Sequence, residues 1–483
     1  VTEFTASTGQ AEAIAKIAEW YADGGGTSRE SGVFRLFGYA GTGKTTLVRH
    51  VIAELGLADN PEGVRWSEVI DKPEPDSDDP EAEVDPADWT DLATDGGRTP
   101  RERHPWAAFG AYTGKAAHVL QRKGVPAHTI HSMIYSPVEK SREHLRALER
   151  QLKEYQDPDR DPPVPPMEIS ILESQIAAER KRVRSPSFAF NPDSEIGTSS
   201  LIVLDEVSMV DERMAADLLS FGVPILAIGD PAQLPPVGGD GYFTAAAPDV
   251  LLTEVHRSAL DSPITRIATA VRAASVGDVS FGVPGLDSGS GRLFRLPSAD
   301  SLLEADAVLC WRNAVRWNLI RQIRAMLGRA PGVPVHGDEI MILANNRDQN
   351  VFNGQIFTVL GAWGHPRSDP YTYELAVEDA DGSTRMLEAM ASGFHSKDGE
   401  DAARDAVRFG GAVVAATFAQ AITVHKSQGS EWDSVLVIDE APSLMAMKNR
   451  QGMGAAGYLE AQRWMYTACT RAARSLTIAP API

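Results

Sequence analysis

The chain has 483 residues, 43% hydrophobic and 23% charged, more than one core serves, so two or more globular domains are expected. No apolar run approaches the roughly 20 residues of a membrane span, and the opening VTEFTASTGQ lacks a basic stretch followed by an apolar one; a cytoplasmic protein with no membrane partner is expected. Cys310 and Cys469 lie far apart and the eleven histidines show no ligand spacing, which argues against disulfides and structural zinc; the formal charge of −20 is only weak evidence against a nucleic-acid partner, because a local groove binds phosphodiesters.

In chain order, Thr5 or Ser7 can cap a helix whose apolar face is Ala13, Ile14, Ile17, Ala18 and Tyr21. Gln10 at its start is either a plain exposed glutamine or an amide that pairs with the N6 and N7 edge of adenine. Val33 to Val51 reads as a buried strand, a glycine-punctuated turn and a helix, with Gly38, Gly43, Lys44 and Thr45 in G-x-x-x-x-G-K-[ST] spacing. A chance glycine-rich turn is the bland reading, and the flanking strand and helix argue against it. Glycines let the backbone of Gly38, Gly41, Thr42 and Gly43 curl its N–H groups toward phosphate oxygens, and the helix start at Lys44, Thr45 and Thr46 adds partial positive charge. Lys44 would reach the β- and γ-phosphates and the Thr45 hydroxyl would ligate magnesium.

Pro61 to His104 holds 14 acidic against 5 basic residues and supplies about nine of the twenty excess negative charges. Rich in Pro, Asp and Gly and without periodicity, residues 61–104 read as an acidic, disordered or loosely ordered insert. WAAFGAYTGKAAHVL then gives a strand ending in Thr113, Gly114 and Lys115 before a helix, and VPAHTIHSMIY brings His128, Thr129 and His131. Leu201 to Leu204 runs into Asp205 and Glu206, a carboxylate pair at a strand end: Asp205 to hold magnesium, Glu206 to polarise a water. PILAIGDPAQLPPV is a further buried strand, with Gln233 placed to feel a γ-phosphate, and LLTEVHRS offers Arg257 as a second phosphate ligand. Thr423, His425, Lys426, Gln428, Gly429 and Glu431 lie between two β-rich stretches, and RWMYTACTRAARSLTI is a helix bearing Arg471 and then a strand.

Gln10, GYAGTGKT, AYTGKAA, HTIHS, LDEVSM, GDPAQLPP, LTEVHRS, VHKSQGSEWD and YTACTRA stand in the order of a superfamily 1 helicase, and the series resembles the 1B type, its RecD-like branch and the Dda-like phage helicases. The resemblance covers most of the chain. It implies an α/β fold of two RecA-like P-loop motor domains and an ATP- and Mg2+-dependent 5'-to-3' DNA helicase acting on single-stranded and forked duplex DNA in replication, repair or recombination. Lys44, Thr45, Asp205 and Glu206 would bind and hydrolyse MgATP, Gln10 would read adenine, Gln233 would sense the γ-phosphate, and Glu431 would lie near the ribose. Arg257 and Arg471 would neutralise transition-state charge, Arg471 as the finger from the second motor domain. Thr113, Lys115, His131, Thr423 and His425 match motifs that touch the single-strand backbone.

The expected division is a first motor domain of residues 1–132 and 198–255, an inserted arm of 133–197, a second motor domain of 256–333 and 413–483, and an inserted SH3-like barrel of 334–412. Short strands around GDEIMILAN, QIFTVLGAW, YTYELAVED and STRMLEAMA, with Asn353-Gly354 as a hairpin turn, support the barrel; an extension of the second motor sheet is the other reading. In the arm, Leu145, Leu148, Leu152 and Tyr155 line one helix face and Ile169, Leu172, Ile176 and Val183 another, with DPDRDPPVPP breaking the helix between them. This predicts an antiparallel helical hairpin on a pair of short strands. Phe188, Phe190 and Tyr135 are candidates to stack on the last base pair as a strand-splitting pin, the arm is a candidate surface for replication or recombination proteins, and a solvated arm without a role in unwinding is the alternative. The function alternative is a DNA-stimulated ATPase that remodels protein–DNA complexes without separating strands.

Overall fold

The computed structural model describes residues 6–24, 32–60, 102–138, 143–156, 164–184, 187–236, 239–254, 262–276, 299–346, 349–365, 371–379, 382–407 and 412–480. The acidic run and Arg257 lie outside them. Ser7 caps the first helix, Thr8–Ala22: its Oγ accepts the Gln10 N–H at 3.3 Å while Gln10 Oε1 accepts the Ser7 N–H at 3.0 Å. This reciprocal box satisfies two otherwise unpaired donors. Ala13 and Ile17 are fully buried and Ile14, Ala18 and Tyr21 partly so, the face the apolar spacing implies.

The strands of the first half are β1 (Val33–Gly38), β2 (Ala58–Asp59), β3 (His104–Ala111), β4 (His128–Thr129), β5 (Tyr135–Val138), β6 (Ser187–Phe190), β7 (Ser199–Asp205), β8 (Ile225–Gly229) and β9 (Val250–Leu252). All but β5 and β6 form one parallel sheet in the order β2-β3-β7-β8-β1-β9, with β4 beside β3. Both faces are covered, which is why the strands read as near-continuous apolar runs. Leu36 packs with Ile17 and Leu47 on one face, Phe37 with Met214 and Phe243 on the other. The order makes β7, β8 and β1 neighbours, and Leu204↔Ala227 and Phe37↔Gly229 pairing leaves their carboxyl ends nearly level.

Between β5 and β6, helices Glu143–Tyr155 and Pro166–Arg184 lie against each other, and β5 and β6 pair antiparallel with Tyr135 opposite Phe190. Leu172 and Ile176 are buried and Leu148, Leu152, Tyr155 and Ile169 half-buried, so the heptad-like faces meet; the side chains of Leu145, Val183 and Phe188 lie outside the described residues. The Tyr135 hydroxyl donates to Asp217 Oδ2 at 2.5 Å from a ring 8% exposed, and Phe190 packs on Phe221 with centroids 5.3 Å apart. Tyr135 is thus tied into the first domain and Phe190 half-buried beside it, contacts that sequence position alone did not reveal.

The second half contains β10 (Ala307–Cys310), β11 (Glu339–Ile342), β12 (Ile356–His365), β13 (Thr372–Glu378), β14 (Thr384–Met390), β15 (Val413–Val414), β16 (Ala416–Phe418), β17 (Ala421–Thr423), β18 (Trp432–Asp439) and β19 (Ala472–Pro480). A parallel sheet runs β17-β10-β18-β19, and a separate six-stranded sheet runs β15-β14-β13-β12-β11-β16. The inserted strands therefore do not extend the parallel sheet. Their sheet passes the boundary expected at 412 and ends at Phe418, because β16 pairs with β11. Ala415 alone separates β15 from β16, so one short stretch pairs with β14 on one side and β11 on the other and draws the sheet ends together. The two sheets share a core, in which Cys310 and Leu436 meet Phe357 and Leu375.

Buried charge fastens the inserted sheet to the helix Asn313–Met326. Arg324, 2% exposed, donates to Asp338 Oδ2 at 2.7 Å and to the carbonyls of Ala330 and Val333, and its guanidinium lies 3.8 Å from the Phe418 ring centre. Asp338 also accepts from Arg329 at 2.6 Å, Val335 N–H at 2.8 Å and Gln420 at 2.9 Å. With that many donors the carboxylate's desolvation is offset. Cys310 and Cys469 are both buried free thiols.

Candidate nucleotide site

The phosphate-type loop leaves β1 at Gly38 and enters the helix Lys44–Glu54 through Gly43, at φ +76° in the left-handed region. Only glycine fits at Gly38, since a Cβ there would come within 2.6 Å of Thr42 Oγ1. Lys44 Nζ folds over the loop, donating to the carbonyls of Gly38 at 2.7 Å and Tyr39 at 3.1 Å. The Gln10 amide, 1% exposed, buttresses the same loop by donating to the Thr42 carbonyl at 3.1 Å. Gln10 is thus a loop contact and not an exposed helix-start residue; the Thr45 side chain lies outside the described residues.

At the end of β7, Asp205 Oδ1 accepts the N–H of Glu206 at 2.8 Å. That bond supports an unusual backbone: Glu206 sits at φ +56°, ψ 43°, one of two non-glycine residues with positive φ among those described. Such a conformation costs on the order of 1–3 kcal/mol and persists where surroundings impose it, often at functional sites. Burial, then the neighbouring Asp205, raises the Glu206 pKa, while Arg471 and Lys44 pull it down. A carboxylate so balanced suits a proton acceptor whose basicity depends on cations beside it. At the end of β8, Asp230 is 1% exposed and Gln233 7%.

The other wall comes from the second parallel-sheet domain. Arg471, at the junction of the helix Gly454–Cys469 with β19, is 6% exposed and donates to the carbonyls of Thr467 and Ser430 and to Thr470 Oγ1. The Arg272 guanidinium stacks 3.6 Å over the Tyr39 ring. Lys44, Asp205, Glu206, Gln233, Glu431 and Arg471 all line one cleft of about 1100 Å³, with Gly41, Gly43 and Thr46 at the loop. That volume suits a nucleotide.

No group of three or more metal-ligating side chains occurs among the described residues. The Asp205 carboxylate at the cleft is a donor of the kind magnesium takes, an ion that needs few protein ligands and keeps phosphate oxygens and waters.

The residues expected at a nucleic-acid backbone fall in two groups. Thr113 caps the helix Gly114–Arg122, accepting the Ala116 N–H at 3.1 Å, and packs by Gly429 of the second domain. Lys115 lines the same cleft, its ammonium 4.8 Å over the Trp432 ring, with its pKa lowered to about 8, mainly by burial. His131 is exposed near Tyr112 and Tyr135. Thr423 is buried at the start of the short helix Val424–Ser427, and burial lowers the pKa of half-buried His425. Tyr39, Asp230, Arg272 and Tyr466 carry no role in the sequence reading; Tyr39, Asp230 and Tyr466 stand inside the quoted motifs, which is the available signal.

A family model described as an AAA domain matches residues 101–288, and a UvrD-like helicase C-terminal domain matches residues 418–479. The first match begins beyond the phosphate loop, whose assignment rests on its own geometry. The ATP-dependent RecD2 DNA helicase of Deinococcus radiodurans is 28% identical over 302 residues, 56% of this chain and 35% of the relative. The chain thus spans about a third of that relative's length. The Pif1 helicase of Candida albicans (TM-score 0.47, 15% identity, 99% of this chain and 94% of that one) and a Bacteroides Pif1 bound to ssDNA (TM-score 0.45, 14%, 99% and 92%) overlap too loosely to bear on the site.

Paired parallel-sheet domains and a cleft that unites phosphate loop, carboxylates and arginine have the make-up of a P-loop nucleotide-using protein. Within that class the chain is similar to the RecD-like, 1B type of superfamily 1 helicase, in its ordered motifs, its two family-model matches and its RecD2 relative.

Proposed function

We propose that the protein hydrolyses ATP with Mg2+ and uses it to move 5'-to-3' along single-stranded DNA and open forked duplexes. The observation that carries this reading is the cleft in which Lys44 and the Asp205–Glu206 pair of one domain face Arg471 of the other. Lys44 would exchange its two loop carbonyls for β- and γ-phosphate oxygens. Thr45 and Asp205 would hold the magnesium ion, which neutralises phosphate charge when bound. Glu206 accepts a proton from water, Gln233 contacts the γ-phosphate, Gln10 and Glu431 address the base and ribose, and Arg257 adds a second phosphate ligand. Arg471 would leave the Ser430 and Thr467 carbonyls to meet the transferring phosphoryl group, a contact worth on the order of 10³ to 10⁵ in rate. Because Arg471 arrives from the second domain, hydrolysis depends on closure, and DNA contacts on both domains, among them Thr113, Lys115, His131, Thr423 and His425, turn closure into stepping.

The burial of Tyr135 and the packing of half-buried Phe190 on Phe221 favour a second reading, a DNA-stimulated translocase that strips protein from DNA without parting strands. A labelled forked duplex with either a 5' or a 3' tail separates the readings. Strand release from the 5'-tailed fork supports the helicase. DNA-stimulated ATPase without release supports the translocase, and preferential release from the 3'-tailed fork overturns the proposed polarity.

A further inference from the structure

The stretch Asp230 to Leu234 leaves β8 of the first domain and ends inside the second. Leu234, 1% exposed, belongs to the second domain's apolar core with Val437, Trp464 and Met465. Its N–H donates to Thr467 Oγ1 at 3.0 Å, and its carbonyl accepts from Gln428 Nε2 at 3.1 Å. At the other end of the stretch, the Tyr466 hydroxyl donates to Asp230 Oδ2 at 2.7 Å and accepts the N–H of Ala40, in the phosphate loop, at 3.2 Å. One phenol, 2% exposed, thereby ties the phosphate loop, the β8 loop and the second domain's helix Gly454–Cys469 together.

Tyr466 stands five residues before Arg471, at the end of the same helix, so whatever fixes the phenol fixes where the arginine emerges. Arg471 holds only groups of its own domain, and its reach to the cleft depends on the helix being seated against the first domain. The seat is polar and directional: a buried carboxylate on one side and a backbone N–H on the other leave the hydroxyl little freedom. The phenol stays neutral, since burial raises its pKa, and can therefore keep donating to Asp230.

Resting on the ATPase reading above, we propose that Tyr466 is a positioning residue for hydrolysis: through Asp230 and Ala40 it seats the second domain on the phosphate loop so that Arg471 enters the cleft. Tyr466 need not touch nucleotide. Its loss should therefore leave nucleotide binding alone and lower turnover.

The test is steady-state ATPase with MgATP and saturating single-stranded DNA, comparing the full chain with Tyr466→Phe, Asp230→Asn and the double variant. Tyr466→Phe is expected to lower kcat about tenfold or more, the scale of a lost hydrogen bond to a charged group, with KM for MgATP within about twofold. Because the two side chains act as one contact, the double variant should be no slower than the slower single one. An unchanged kcat in Tyr466→Phe, a rise in KM that accounts for the loss, or multiplicative effects in the double variant would each overturn the proposal. If Tyr466→Phe does not fold, as melting would show, Asp230→Asn and Thr467→Val decide by the same split between kcat and KM. An inactive wild type would instead defeat the ATPase reading, and that is seen before any variant is compared.

Discussion

Lys44, Arg471 and Glu339 show how single side chains in the cleft are poised between structure and chemistry. Lys44→Ala removes the ammonium that now spans two loop carbonyls, and ATP turnover is expected to fall by at least about 10³, checked by phosphate release. Arg471→Ala should cut hydrolysis by a similar order while nucleotide binding, followed by fluorescence of a labelled analogue, stays within a few-fold; near wild-type turnover would refute a finger from the second domain. Glu339 opens β11 near Lys115, and burial raises its pKa from 4.5 to about 7, with Lys115 opposing the rise. A raised folded-state pKa contributes stability that is complete below about 4.5 and lost as pH rises through about 7. The melting temperature of Glu339→Gln should therefore gain on wild type by a few degrees across that window and level off above it. A constant difference would mean that the carboxyl is not buried in solution.

Two elements extend the parallel-sheet domains by different physics. In the helix pair Glu143–Tyr155 and Pro166–Arg184, the contact is apolar and periodic, so the double change Leu148→Asp, Ile176→Asp should bury unpaired charge and unravel the pair. Circular dichroism should register the lost helix while DNA-stimulated ATPase persists; joint loss of ATPase would show that the pair is part of the motor. The six-stranded sheet is instead anchored by the Asp338 cluster. Asp338→Ala leaves Arg324 buried without its partner carboxylate and should destabilise by about 3–5 kcal/mol, read from chemical denaturation. A change below about 1 kcal/mol would mean that the carbonyls of Ala330 and Val333 suffice for Arg324.

At the scale of the whole molecule, the cleft proposed for nucleotide lies between domains and the expected DNA residues lie on both. Ligands that favour the same closed state must strengthen each other's binding, by about 1–3 kcal/mol in typical coupled systems. A slowly hydrolysed ATP analogue with magnesium should therefore tighten a fluorescent oligonucleotide's Kd about 5- to 150-fold, and the oligonucleotide should tighten the analogue by the same factor. Independent affinities would remove closure from the mechanism.

Local chemistry made the phosphate loop, the carboxylate pair and the helix faces legible in the sequence. A glycine that must admit a close side chain, a run of β-formers on a sheet covered on both faces, and apolar residues every three or four positions each leave a mark within a few residues. Contacts between distant segments leave none. Gln10 closing on Thr42, Tyr135 bonded to Asp217, Lys115 turned to Trp432, the sheet running on to Phe418, and Leu234 set into the other domain's core all join residues far apart in the chain. Tyr466 is the sharpest instance: the motif YTACTRA announces its arginine, but its tyrosine gains a partner only when the fold brings Asp230, 236 residues earlier, and Ala40, 426 earlier, to one hydroxyl.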